Sequence, residues 1–133
     1  MEIGITAGTF DLVHAGHVLM LKEASEQCDY LIVALQTDPT IDREDKNKPI
    51  QTMYERFVQL NGCKYVDEII PYETEDDLYT LIMNNNVDVR IIGNEYRNED
   101  FTAREVGLDI HYNARNHMWS SSELRERILN ESF

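Results

Sequence analysis

The sequence contains little cysteine: Cys28 and Cys63 are the only two among 133 residues. They fall in no CxxC or comparable spacing, so they predict neither a metal site nor a disulfide framework. A chain of this length buries enough apolar surface to fold without cross-links. We therefore expect one domain over residues 1–133, with both thiols free in a reducing compartment.

Positive charge is also scarce, because 12 Lys and Arg against 25 Asp and Glu give a formal net charge of -13. This balance disfavours binding to nucleic acid or anionic membranes, which both recognise basic surfaces. It does not exclude a small anionic ligand. Distant surface charges are screened beyond about 8 Å, whereas a lysine about 4 Å from a phosphate contributes about 4 kcal/mol at an effective dielectric of 20. Local basic residues therefore decide whether the protein binds phosphates.

Long apolar runs are absent: no run approaches the roughly 20 residues that a membrane span needs. No basic leader precedes the first apparent strand, which begins directly after Met1. We expect a soluble, cytoplasmic protein that does not bind membranes. The longest polar stretch, residues 38–51, is too charged for a helix or strand and is expected to be a functional loop.

Short runs rich in Ile, Val and Tyr alternate with helix-like segments, which is typical of βα units in a parallel sheet. The pattern predicts an α/β fold whose five-stranded, mainly parallel sheet is flanked by helices. The predicted strands cover residues 3–7, 30–36, 65–72, 87–93 and 108–112, and the predicted helices cover 17–27, 53–61 and 76–83. Capping-box spacing marks helix starts at Thr52, Thr74 and Ser120.

The first junction between strand and helix, Thr6–His17, reads TAGTFDLVHAGH. Gly8 allows close approach of the backbone to a phosphate, and the unpaired N–H groups of the following helix attract an anion. His14 and His17, three residues apart, are expected on one side of the first turn, with Gly16 between them. Two alternatives remain open, a zinc site and a pair of ordinary helix-start residues.

The string GTFDLVHAGH resembles the signature of the HxGH nucleotidyltransferase superfamily. The chain as a whole resembles the small cytidylyltransferases of that superfamily, those of the glycerol-3-phosphate cytidylyltransferase type in particular. Further segments that carry the resemblance are 29–38, 64–71, GNEY at 93–96 and RNHMWSSS at 115–122. The resemblance implies a single Rossmann-like domain in which a phosphorylated acceptor attacks the α-phosphate of an NTP and pyrophosphate leaves.

The resemblance also implies roles for individual residues. The residues expected to act in catalysis are His14, His17, Lys46, Lys48 and Arg115. Those expected to bind the nucleotide are Gly8, Thr9, Phe10, Gly16, Gly93, Asn94, Tyr96, Ser120, Ser121 and Ser122. Those expected to bind the acceptor are Asp11 and Lys64. Asp11 can equally be a turn carboxylate bonded to local backbone, and the three serines can be an ordinary capping run.

The resemblance favours CTP as the nucleotide, a phosphorylated alcohol or sugar as the acceptor, and a homodimer. Mg²⁺ is expected to be held mainly by the nucleotide phosphates rather than by protein ligands. Asn94 differs from the acid common in this family, which leaves ATP as an alternative to CTP. Met118 and Trp119 replace a smaller pair and either reshape the acceptor pocket or fill core. A noncatalytic nucleotide-binding module is the alternative to an enzyme.

Overall fold

The computed structural model describes residues 1–114 and 117–131. Five strands alternate with helices, as predicted. The strands are β1 (Ile3–Gly8), β2 (Tyr30–Gln36), β3 (Glu68–Tyr72), β4 (Val89–Gly93) and β5 (Asp109–Asn113), and the α-helices are α1 (Ala15–Ser25), α2 (Met53–Asn61), α3 (Glu75–Asn84) and α4 (Ser121–Leu129). No helix in the described part of the chain is both long and apolar enough to cross a membrane.

The sheet has the strand order β3-β2-β1-β4-β5, and every pairing in it is parallel. The chain winds outward from β1 in one direction as far as β3 and then crosses back to form β4 on the other side of β1. A crevice opens beyond the carboxyl ends of the strands where the winding direction changes, and ligands bind at such crevices. The end of β1 is therefore where the fold places a binding site.

The two faces of the sheet are covered by different helices. Leu31, Val33 and Leu35 of β2 pack in the cluster that includes α1 and α2, whereas Ile32 and Ala34 pack with α3 on the opposite face. This alternation follows from the two-residue period of a strand buried on both faces. Residues from the α1 side and from the α3 side therefore approach the carboxyl ends of β1 and β4 from opposite faces of the sheet.

Most bounds lie within two residues of the sequence prediction, and two further differences have a local cause. β3 begins at Glu68 rather than at Tyr65, because residues 62–66 form a turn in which the Val66 N–H donates to the Cys63 carbonyl at 3.2 Å. The loop after β2 also contains a short 3-10 turn, Pro39–Ile41, whose first N–H groups are partly satisfied by the Asp38 carboxylate at 2.9 Å from Thr40 N. Local hydrogen bonds therefore account for both the later start of β3 and the 3-10 turn after β2.

Capping interactions fix the starts of the helices. Thr52 with Glu55 and Thr74 with Asp77 form complete capping boxes, as the spacing predicted. Ser120 accepts from the Glu123 N–H at 3.0 Å at the start of α4. Such caps satisfy N–H groups that have no partner inside the helix.

Arg56 of α2 is 2% exposed and donates to backbone carbonyls of three separate segments. Its Nη1 lies 2.9 Å from Thr9 O and 2.6 Å from Gln36 O, and its Nη2 lies 2.7 Å from Thr37 O. Nε adds a longer bond of 3.3 Å to Gln51 O. One guanidinium therefore ties the ends of β1 and β2 to the segment that leads into α2.

Replacement of Arg56 by lysine should lower the free energy of unfolding by about 3 kcal/mol, because an ammonium cannot reproduce the fork and leaves buried carbonyls without donors. Chemical denaturation followed by circular dichroism measures the change. Arg127→Lys is the matched control, since Arg127 forms an exposed ion pair with Glu123 within α4 and should change stability by less than about 0.5 kcal/mol. A loss for R56K no larger than for R127K would contradict the role of Arg56.

Candidate active site

The first turn of α1 is closed by two histidines. His14 is the N-cap, and its Nδ1 accepts from the Gly16 N–H at 3.0 Å. The Nδ1 of His17 accepts from the His14 N–H at 3.1 Å, so the two imidazoles form a reciprocal capping box. The ring centroids lie 4.1 Å apart. The predicted placement of both rings on one side of the turn is therefore confirmed.

These hydrogen bonds set the tautomer of each neutral ring. A ring nitrogen that accepts an N–H carries no proton, so in each neutral imidazole the proton lies on Nε2. Burial, with a smaller contribution from His14, lowers the pKa of His17 to about 4, while Asp11 acts in the opposite direction. At neutral pH His17 is therefore an uncharged N–H donor at the amino end of a helix.

Asp11 precedes this turn and is held on all sides. Its carboxylate accepts from the N–H groups of Ile50 and Gln51, each at 2.9 Å, and from Arg125 Nη2 at 2.9 Å. Phe10 and Leu12 on either side have φ of 51° and 52°, a left-handed conformation that costs a non-glycine residue about 1–2 kcal/mol. These contacts favour the interpretation of Asp11 as a turn residue that fixes the strained loop, rather than as an acceptor ligand.

The start of α4 meets the same loop. The Ser121 hydroxyl donates to the Asp11 carbonyl at 3.0 Å, and Arg125, one turn later, reaches the Asp11 carboxylate. The amino ends of α1 and α4 are thereby joined through Asp11. Ser120 caps α4 and Ser122 is exposed.

A cavity of about 430 Å³ lies beyond the end of β1 on the face that α3 covers. We call it the α3-side cavity; its walls come from the β1–α1 turn, residues 39–49, and the segment after β4. The charged side chains that line it are Arg43, Lys46, Arg90, Arg125, Asp11 and Glu75. Arg43 pairs with Glu75 at 3.4 Å and Arg125 pairs with Asp11 at 2.9 Å. Among the described residues, Lys46 and Arg90 have no carboxylate within 4.0 Å.

A second cavity of about 600 Å³ lies on the α1 side of the same strand ends. We call it the α1-side cavity; its lining includes the turn of α1, the 3-10 turn Asn94–Tyr96, the end of β5, His117 and residues 119–121. It contains His14, Gly16, His17, Gly93, Asn94, Tyr96, Ser120 and Ser121. Trp119 stacks on His117 in its wall, with the ring centroids 5.1 Å apart. Met118 is 88% exposed and Trp119 43%, so the alternative in which this pair fills core is wrong.

The two cavities share part of their walls. Residues common to both are Ala7, His17, Arg90, Ile92, Tyr96 and Ser121. Two ligands bound side by side would therefore meet beside the His17 ring.

Several predicted residues lie elsewhere. Gly8, Thr9 and Phe10 line the α3-side cavity rather than the α1-side cavity where the predicted nucleotide residues gather, and Phe10 is largely buried in the core. Lys46 lines the α3-side cavity, whereas Lys48 and Ser122 line neither of the two. Arg115 lies outside the described residues.

Lys64 requires a correction. It lies between α2 and β3, with its Nζ 5.3 Å from the centre of the Tyr65 ring. A helix that follows one parallel strand returns the chain to the amino-terminal edge of the sheet before the next strand begins. Lys64 is therefore at the edge opposite to both cavities of its own chain, and its assignment to the acceptor site does not fit the fold.

The described residues do not converge into a protein-held metal centre, since no group of three or more His, Cys, Asp or Glu side chains is placed to hold an ion. The zinc alternative for His14 and His17 also conflicts with their Nδ1 atoms, which both accept backbone N–H groups. A metal at this site would thus rely on other ligands.

Sequence reasoning missed three buried or half-buried polar residues. Arg90 lies within a strand, Arg125 lies one turn into α4, and Asn113 ends β5 at the α1-side cavity with its Oδ1 buried and without a partner among the described residues. His111 of β5 forms a hydrogen bond with Glu23 of α1, with 2.6 Å between Nε2 and Oε2. A charged residue inside the strand-like run VDVRIIG was the available signal for Arg90.

The family comparison decides the class of protein. The cytidylyltransferase-like family model matches residues 5–127. The chain belongs to the cytidylyltransferase-like family. It is accordingly a nucleotidyltransferase. Of the two histidines, His17 lines both cavities and His14 lines the α1-side cavity.

Relatives of similar length agree with this membership. The glycerol-3-phosphate cytidylyltransferase of Bacillus subtilis (strain 168) is 32% identical over 128 residues, which cover 96% of this chain and 98% of that protein. The Staphylococcus aureus (strain NCTC 8325 / PS 47) protein of the same name is 34% identical, with 96% of each chain covered. The FAD synthase of Thermococcus sibiricus (strain DSM 12597 / MM 739) is 34% identical over 78% of this chain and 70% of its own.

Solved structures share the fold. The lipopolysaccharide core biosynthesis protein of Thermoplasma volcanium GSS1 superposes with a TM-score of 0.73 at 24% identity, and the match covers 88% of this chain and 99% of that one. The Rossmann-like fold is thus common to this cytidylyltransferase-like protein and its structural neighbour.

The lowered pKa of His17 makes stability depend on pH. Because the folded pKa is about 4 and the ordinary value is 6.5, the unfolded chain binds more protons between these values, and stability falls as pH drops through that window. The loss due to His17 between pH 7 and pH 4 should be about 3 kcal/mol. His17→Asn keeps an acceptor near the position of Nδ1 but does not titrate, so it should lose less stability over the same range. Equal pH dependence of the two unfolding curves would contradict the assignment.

Proposed function

We propose that this protein transfers CMP from CTP to a small phosphorylated acceptor and releases pyrophosphate. The observation that carries the proposal is the pair of adjacent cavities that meet at His17. A transfer between two substrates needs two sites whose ligands touch at the reacting atoms, with donors placed where charge develops. A binding module for one nucleotide needs no second, basic cavity.

The α1-side cavity suits the nucleotide. It lies at the amino ends of α1 and α4, where free N–H groups and helix dipoles stabilise phosphates. Its far wall, with Asn113 and the stacked His117 and Trp119, offers a polar amide and an aromatic surface for a base. At about 600 Å³ it falls within the usual range for cofactor and nucleotide pockets.

Asn113 supports a base that carries an exocyclic amino group. Its amide oxygen is buried and has no donor among the described residues, and such an oxygen pairs with the N4 amino group of cytosine but not with the O4 of uracil. Adenine also has an amino group, so this residue does not separate CTP from ATP. The names of the full-length relatives, which are glycerol-3-phosphate cytidylyltransferases, favour CTP.

The α3-side cavity suits the acceptor. Lys46, exposed on the loop after β2, lines it together with the basic residues named above. Its volume of about 430 Å³ fits a short phosphorylated alcohol or sugar better than a second nucleotide. Glycerol 3-phosphate, the substrate in the names of the two full-length relatives, is the first acceptor to test.

In the proposed reaction an oxygen of the acceptor phosphate attacks the α-phosphorus, a new P–O bond forms, and the bond to the β-phosphate oxygen breaks. Pyrophosphate leaves with the electron pair of that bond. His14 and His17 donate their Nε2 protons as hydrogen bonds to phosphate oxygens, and Lys46 neutralises charge on the acceptor side. Mg²⁺ bound to the nucleotide phosphates would supply further neutralisation.

Purified protein should release pyrophosphate from CTP only when a phosphorylated acceptor is present, and faster than from ATP. An enzyme-coupled pyrophosphate assay with each NTP, and with glycerol 3-phosphate and other phosphorylated alcohols and sugars, measures this. Faster reaction with ATP would make the protein an adenylyltransferase, and binding of CTP without pyrophosphate release would make it a noncatalytic module.

His17→Ala should lower kcat by about 100-fold or more, because it removes a donor to the reacting phosphates.

The two loop lysines should differ. Lys46→Ala should raise the KM for the acceptor by about 10-fold or more, since Lys46 lines the α3-side cavity and has no carboxylate partner among the described residues. Lys48→Ala is the matched control, two residues away on the same loop, and should change the KM by less than about twofold. Equal changes of the acceptor KM in the two variants would contradict a role of Lys46 in acceptor binding.

Assembly and location remain predictions. We expect a homodimer in the cytoplasm. Analytical ultracentrifugation at micromolar concentration measures the first, and a monomer under these conditions would contradict it.

A further inference from the structure

Arg90 is an unusual residue for its position. It lies in β4, between Val89 and Ile91 of the core, and is the one Lys or Arg in the five strands of the described chain. Its side chain is 6% exposed and lines both cavities. A guanidinium is almost never placed in a parallel strand without a partner that compensates its burial.

The protein satisfies only part of this guanidinium. Nη1 donates to the Thr102 carbonyl at 2.6 Å, and the group lies 5.5 Å from the centre of the Phe101 ring. Nε is buried and has no hydrogen-bond partner among the described residues, and none of them accepts from Nη2. Nε and Nη2 form one edge of the guanidinium, the edge with two parallel N–H groups that fits two oxygens of one anion.

The charge of Arg90 is also not neutralised by direct contact. Glu75 is the nearby acid, but its Oε1 pairs with Arg43 at 3.4 Å and its Oε2 accepts from the Thr102 hydroxyl at 2.8 Å. No carboxylate of the described residues lies within 4.0 Å of Arg90. Tyr72, which also lines the α3-side cavity, stays protonated because burial raises its pKa. A buried cation in this state is strongly stabilised by an anion that completes its hydrogen bonds.

We propose that Arg90 binds the phosphate of the acceptor through its Nε and Nη2 edge, an inference that rests on the proposed function. The attacking phosphate must lie beside the α-phosphate of the nucleotide, and Arg90 is the described cation that lines both cavities. Lys46 approaches from the loop and Arg90 from the sheet, so the phosphate is held from two sides. Arg90 thereby selects a phosphorylated acceptor over a neutral alcohol.

Arg90→Gln tests this role in steady-state kinetics, because it removes the charge and keeps much of the volume. The KM for glycerol 3-phosphate should rise about 10- to 100-fold, while the Kd for CTP measured calorimetrically without acceptor should change by less than about twofold. Arg90→Lys should recover part of the loss. Arg104→Gln is the matched control, since Arg104 contacts the same Phe101 ring, is exposed and lines neither cavity.

An unchanged acceptor KM in R90Q would overturn the proposal, and so would a weakened Kd for CTP with an unchanged acceptor KM, which would place Arg90 on the nucleotide. A direct measurement needs no variant: the Nε–H signal of Arg90 in ¹H–¹⁵N spectra of the wild-type protein. It should shift when glycerol 3-phosphate or inorganic phosphate is added, and should not shift with glycerol. Absence of a phosphate-induced shift would overturn the proposal.

This second measurement separates the two proposals. A phosphate-induced shift without pyrophosphate release from any NTP would support the anion site at Arg90 and contradict the proposed reaction. Pyrophosphate release with a normal acceptor KM in R90Q would support the proposed reaction and contradict the role of Arg90.

Discussion

The candidate site depends on one buried guanidinium that does not face a ligand. Arg56 donates to carbonyls at the ends of β1 and β2 and before α2, and so fixes the distance between β1 and β2 where they open toward the cavities. The turn that follows Thr9 can then carry two residues with positive φ, because its ends are held. Asp11 and the capping histidines are positioned by this turn, which makes the geometry of the site a consequence of hydrogen bonds outside it.

The distribution of charge resolves an apparent conflict between an acidic protein and anionic substrates. The chain carries a formal net charge of -13, yet four cations line the α3-side cavity against two acids. Because screening limits the reach of surface carboxylates to about one Debye length, the local balance of charge, rather than the net charge, governs whether a small anion binds in this cavity. In the proposed reaction, His17 would donate a hydrogen bond to phosphate as a neutral ring, because its pKa is lowered to about 4.

Much of the fold could be predicted because the strands and helices carry local signals that agree. The apolar run 30–36 and the helix 53–61 were placed with their observed bounds, and the capping boxes at Thr52 and Thr74 formed as their spacing indicated. His14 and His17 were found because sequence neighbours on one helical turn are also neighbours in space. The assignment of the two histidines to a particular chemistry came from family resemblance rather than from that spacing.

What could not be predicted depends on contacts between distant segments. Lys64 was assigned to the acceptor site from the family resemblance of its segment, but the topology sends the end of α2 to the opposite edge of the sheet. The structural roles of Arg90 and Asp11 were not predicted, because their hydrogen-bond partners are distant in sequence. Arg90 donates to Thr102, and Asp11 accepts from Gln51 and Arg125, over separations between 12 and 114 positions. Single-sequence reasoning has no measure of such distances.

The central position of β1 in the order β3-β2-β1-β4-β5 has an evolutionary consequence. Under the proposed function, the residues that bind the polyphosphate come largely from the helices that start after β1 and β5, whereas much of the opposite wall comes from the loop after β2 and from segments near β4. Substitutions in that wall can exchange one acceptor for another without moving the imidazoles. Descendants of one ancestral protein can in this way diversify in the molecules they modify while the step at phosphorus stays the same.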